Sequence, residues 1–130
     1  LNVRNIIKPV LYMNEQMKQQ MLLDPENMVL YIIYCSGSNS FTPILKEILT
    51  KIGDNQYEST EVRMNARDVY TIKDDTLTME HYLSDELMWT DVFITSKYIC
   101  FPKWYASDHE TKKLADELTA IGSSHGLLSP

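Results

Sequence analysis

The apolar positions of the chain change period along its length. Val29–Tyr34 (VLYIIY) is an unbroken run of β-branched, aliphatic and aromatic residues, the pattern of a strand buried on both faces. Further on, Ile44, Leu45, Ile48, Leu49 and Ile52 recur at helical spacing, behind Thr42 as a hydroxyl N-cap and Pro43 in the first turn. Gly53 stands where a helix C-cap belongs. Met28–Gly53 therefore predicts a strand, a tight polar loop opening with Cys35, and an amphipathic helix.

The flanking segments extend this alternation. Pro9–Leu23 reads as a helix carrying Val10, Leu11, Met17 and Met21, with Asn14–Gln20 as its solvated face, and Asp24–Asn27 reads as a turn. Tyr57–Met64 predicts a second strand, Asn65–Thr78 a polar loop tipped by Lys73-Asp74-Asp75, and Met79–Trp89 a short helix. Asp91–Thr95 predicts a third strand and Asp108–Ile121 a last helix with Leu114, Leu118 and Ile121 as its stripe. Strands alternating with helices predict an α/β fold of three layers: an open, mostly parallel sheet with helices on both faces. Sites in such sheets lie beyond the carboxyl ends of the strands, at Cys35 and after Thr95. Residues 1–27 read as a helix and linker, with the end of a preceding domain as one origin, 28–121 as the α/β domain, and 122–130 as a flexible tail.

Composition narrows the function classes. With 130 residues the chain is one domain, and its formal charge of −6 argues against direct nucleic-acid contact or binding to an anionic membrane. Two cysteines make no disulfide framework and read as reduced thiols in a cytoplasm. No apolar run reaches the length of a membrane span, and no signal peptide is visible. The start at Leu1 suggests a segment of a longer protein or a processed terminus.

The candidate chemistry centres on Cys35. A thiol at the mouth of a tight turn before a helix meets free N–H groups and the positive end of the helix dipole, which stabilise an anion or a thiolate. Ser36, Gly37, Ser38, Asn39, Ser40 and Thr42 are the candidate phosphate-binding residues of that loop, or simply the residues that satisfy it. Cys35 reads alternatively as a buried structural thiol, and Cys100, among aromatics, as a packing residue. His81, His109 and His125 have no ligand spacing, so neither a metal nor a cofactor is expected. Tyr98, Phe101, Trp104 and Tyr105 form either an interaction patch or a cover for the sheet edge, and Met13, Met17 and Met21 either a dimer surface or core.

Cys35-Ser36-Gly37-Ser38-Asn39-Ser40-Phe41-Thr42 resembles the loop after strand one in the IIB domains of the sugar phosphotransferase system (PTS), of lactose or galactitol type. Thr90–Ile99 is similar to the family's aspartate-led third strand. The resemblance implies a regulatory IIB-like domain, of the kind that closes bacterial transcription regulators with phosphotransferase regulation domains and Mga-type virulence regulators. Cys35 would be its phosphoacceptor, or the loop degenerate and the domain used for oligomerisation and protein interaction. Implied partners are a IIA-type phosphodonor or a neighbouring regulator domain, and a second copy of the chain. A weaker resemblance runs to the low-molecular-weight tyrosine phosphatases and arsenate reductases, whose loop carries an arginine where this chain has Phe41. Without that bidentate clamp, turnover is not expected, and the reading is a phosphoacceptor or degenerate domain rather than an enzyme.

Overall fold

Strand formation prevails over most of the described residues between 10 and 95. The computed structural model describes residues 8–36, 43–101 and 109–130, which form nine strands and one α-helix. The strands are β1 (Val10–Asn14), β2 (Gln19–Asp24), β3 (Val29–Tyr34), β4 (Ile44–Ile48), β5 (Thr50–Gly53), β6 (Gln56–Glu61), β7 (Ala66–Lys73), β8 (Thr76–Leu83) and β9 (Glu86–Thr95). Helix α1 (His109–His125) follows. All pair antiparallel in one sheet of order β4-β3-β2-β1-β9-β8-β7-β6-β5. The three-layer, mostly parallel α/β fold is thereby overturned. The IIB and phosphatase resemblances, which required that fold, fall with it.

Three expected helices are extended instead. Residues 9–23 form the β1–β2 hairpin, 79–89 the end of β8 and the start of β9, and 43–53 become β4 and β5. Turn chemistry accounts for part of this. Asp54-Asn55, Asp74-Asp75 and Ser84-Asp85 are two-residue hairpin connections, and Asp74, Ser84 and Asp85 have positive φ of 54°, 49° and 65°. Asp and Ser tolerate that conformation through local hydrogen bonds, so the hairpins close without glycine. At the β1–β2 turn Asn14 Oδ1 accepts from Met17 N at 2.9 Å, and at β2–β3 Asp24 Oδ2 accepts from Asn27 Nδ2 at 2.9 Å.

The two outermost strands of the sheet, β4 and β5, are consecutive in the chain and separated only by Leu49. Segment 44–53 thus pairs with β3 through its first half and with β6 through its second, and the sheet closes on itself at one end. At the other end the seam is open. The ladder between β5 and β6 stops at Glu58, leaving Ser59–Glu61 unpaired on the side that faces β4.

Pleating divides the side chains into two cores. Inside lie Tyr12, Met21, Leu23, Leu30, Ile32, Leu49, Tyr57, Tyr70, Leu77, Met79 and Phe93. Outside β1–β4, Leu11, Leu22, Val29, Tyr31, Ile33 and Ile44 pack against Ile99 and against Ala115 and Leu118 of α1. β3 is covered on both faces, as its unbroken apolar run requires. The outer face of β9 is uncovered, with Val92 and Ile94 exposed.

Helix α1 buries the stripe Thr111, Ala115, Leu118 and Gly122 and is tied to the sheet by Glu117, whose Oε1 accepts from Tyr31 Oη and Lys46 Nζ, both at 2.8 Å. Gly126, at φ +69°, ends the helix in the left-handed region, and Leu127 N donates to Gly122 O. Gly122 permits a close approach: a Cβ there would meet Leu128 Cδ2 at 2.6 Å. The segment leaving β9 is held by Gln20, which donates to Tyr98 O and accepts from Cys100 N, each at 2.8 Å. Cys100 is bonded to Cys35 at the end of β3, with Cα atoms 5.7 Å apart. The expected pair of reduced thiols is therefore corrected to a disulfide. No helix among the described residues is long and apolar enough to cross a membrane.

Candidate ligand cleft

The open seam between β4 and β6 leads into a cleft of about 640 Å³ at the unclosed end of the sheet. Strand alternation decides which side chains reach it. Glu47 of β4 points inward, since it lies opposite Leu30 of the inner core. On β7, Asp68 shares the inward phase of Tyr70, and β8 places His81 opposite Asp68. β9 then places Trp89 opposite His81. The two-residue turns at Asp74-Asp75 and Ser84-Asp85, with one bulge between His81 and Tyr82, set this register.

The resulting cluster is acidic and aromatic. His81 Nδ1 lies 2.6 Å from Asp68 Oδ1, and its ring stacks on Trp89 with centroids 4.2 Å apart and planes 15° from parallel. The Glu47 carboxylate accepts from Tyr70 Oη at 2.5 Å, and the Ser59 hydroxyl stands near it across the seam. Burial pushes the Glu47 carboxyl above the ordinary glutamate range, and the nearby Asp68 charge adds to the rise against the lowering effect of these two hydroxyls. The Tyr70 hydroxyl is driven far up by burial and then by the Glu47 charge, so it remains a donor. Burial likewise raises Tyr34, with Glu47 and Asp68 contributing.

Basic side chains along the rim are engaged elsewhere. Lys46 points to the outer face and bonds Glu117. Arg67 lies 3.6 Å from Glu58, with its guanidinium 4.3 Å over the Tyr82 ring. Trp89, Met88 and Met64 are 52%, 47% and 68% exposed, so apolar surface at the mouth is available to a ligand. Among the described residues, no group of three or more His, Cys, Asp or Glu is placed to hold a metal ion.

The residues singled out from the sequence lie elsewhere. Cys35 is half-buried and disulfide-bonded, and Ser36 is exposed beside it. Gly37, Ser38, Asn39, Ser40 and Thr42 lie outside the described residues. Pro43 leads into β4 rather than a helix, so the helix-dipole argument for an anion at this loop is withdrawn. Tyr98 is 43% exposed, Phe101 packs half-buried on the helix-side core, and Trp104 and Tyr105 lie outside the described residues. Sequence reasoning missed Glu47, Asp68, His81 and Trp89. A hairpin turn at Asp74-Asp75 would have set Asp68 opposite His81, because register follows from the turn. Comparisons with known protein families, with curated proteins and with solved structures each find no match to this chain.

Proposed function

We propose that the protein binds a small organic cation, a protonated amine carrying an apolar or flat body, in the cleft at the open end of its sheet. The observation that carries this reading is the pairing of two inward carboxylates, Glu47 and Asp68, with the exposed Trp89 face, while Lys46 and Arg67 are turned outward. A carboxylate held in a partly desolvated site offers an ammonium group charge-assisted hydrogen bonds, each worth roughly 1.5–3 kcal/mol. An aromatic face adds about 0.5–2 kcal/mol of cation–π attraction. The mouths of closed antiparallel sheets are favoured places for such sites, and the cleft volume suits a drug-sized ligand.

The reading is of binding and sequestration, without a reaction. Cys35, which sequence reasoning placed at the centre of the chemistry, is consumed in the disulfide with Cys100. That disulfide supports an oxidising compartment over the cytoplasm expected from the cysteine count. Calorimetry with three probes of one shape tests the proposal: 2-phenylethylammonium, 2-phenylethanol and 3-phenylpropionate. The ammonium compound binds, the alcohol binds at least ten-fold more weakly, and the carboxylate does not bind. Equal binding of all three, or preference for the carboxylate, overturns the reading.

A further inference from the structure

Glu47 reaches from β4 across the open seam, hydrogen-bonded to Tyr70 on β7 and beside the Ser59 hydroxyl on β6. Every element around it contributes a group that senses its charge or shares its site. β3 supplies Tyr34, β6 supplies Ser59 with Glu61 at the rim, β7 supplies Asp68 and Tyr70, and β8 supplies His81. Among the described residues no Lys or Arg pairs with it: Lys46 and Arg67, at the rim of the cleft, pair with Glu117 and with Glu58 on the outer surface. Two carboxylates in one partly buried cluster, with only an imidazole to offset them, repel each other when both are ionised. A proton on Glu47 relieves that repulsion, and so does an ammonium ion. The two occupants neutralise the same site and compete for it.

We propose that the cleft exchanges a proton for its cationic ligand, with Glu47 as the exchanging group, so that acidification unloads the site. The inference rests on the cation-binding reading above. In the loading step the Glu47 O–H bond breaks, the proton leaves to solvent, and the ammonium group forms a hydrogen-bonded ion pair with the carboxylate left behind. Unloading is the reverse, and no electrons move. The raised titration of Glu47 in the unliganded protein supports this direction of coupling. Tyr70 and Ser59 position the carboxylate in both states, since each hydroxyl can donate to a carboxylate or share the acid proton.

Two measurements on the intact, disulfide-bonded chain test the exchange. Calorimetric titration with 2-phenylethylammonium at the Glu47 midpoint and one pH unit below it, run in buffers of different ionisation enthalpy, counts protons released on binding. The carboxyl carbon resonance of Glu47, followed against pH without ligand, reports its own titration. The expected results are a Glu47 midpoint above the ordinary glutamate range, and proton release on binding that is lost in Glu47→Gln. Wild-type affinity should fall by about ten-fold for each pH unit below that midpoint. Binding with no proton release, or a Glu47 midpoint in the ordinary range, overturns the exchange and leaves cation binding standing. No binding of the probe at any pH removes the cation reading, and the exchange with it.

Discussion

At the scale of single residues, the cleft depends on a carboxylate whose charge the fold disfavours. Because the Glu47 carboxyl is raised by burial, its contribution to stability is present below the unfolded value of 4.5 and is lost as pH rises through the folded value. Unliganded protein should therefore melt at a lower temperature as pH increases across that window, and Glu47→Gln should flatten this part of the profile. Scanning calorimetry of both proteins at matched ionic strength checks it. An unchanged slope in the variant would place the pH dependence elsewhere. Glu117 runs the other way. Its hydrogen bond from Lys46 lowers its carboxyl, so its contribution is present above the ordinary value and lost as pH falls through the folded one. At this scale sequence reasoning misses the site: it places Asp68 in a polar loop and His81 in a short helix, whereas they stand on the inward phase of two strands whose register follows from Asp74-Asp75. Glu47 leaves no such signal, because its inward placement depends on the chain remaining extended through Leu49.

At the scale of elements, β3 and α1 were legible and segment 44–53 was not. Val29–Tyr34 has the composition of a doubly covered strand, and in the structure the inner core and α1 cover its two faces. Ile44, Leu45, Ile48, Leu49 and Ile52 match a helical face by spacing. Yet Ile44 is buried under α1, Leu49 is buried in the inner core, and Ile48 is 70% exposed. One strand serving two neighbours and two cores leaves an apolar pattern that periodicity alone assigns to a helix. The hairpin turns carry Asp, Asn and Ser rather than glycine, which further conceals the strands. Energetically, α1 is held by its buried stripe more than by its ion pair. Leu118→Ala should cost about 3 kcal/mol in denaturant unfolding, since Leu118 is fully buried. Lys46→Met should cost less than about 1 kcal/mol, because the pair with Glu117 is about one-third exposed. A larger effect for Lys46→Met than for Leu118→Ala would contradict that ordering.

At the scale of the whole molecule, the sheet closes through bonds far apart in sequence, and the disulfide adds one more. Cys35 and Cys100 are 65 residues apart, so their bond should contribute about 4 kcal/mol by restricting the unfolded chain. The Cys35→Ser, Cys100→Ser double variant should unfold at correspondingly lower denaturant while keeping the same sheet by far-ultraviolet circular dichroism. The global topology was the least legible feature. An antiparallel order that brings β1 beside β9 rests on pairings between distant segments, and no local pattern encodes them. The central claim is that this closed sheet leaves an acidic, aromatic mouth that selects positive charge. The most direct test is the affinity ratio of 2-phenylethylammonium to 2-phenylethanol in the wild type and in Glu47→Gln and Asp68→Asn. The account predicts a ratio of ten or more in the wild type, reduced about ten-fold or more by either substitution, with alcohol binding unchanged. A wild-type ratio near one, or a ratio that neither substitution alters, would contradict it.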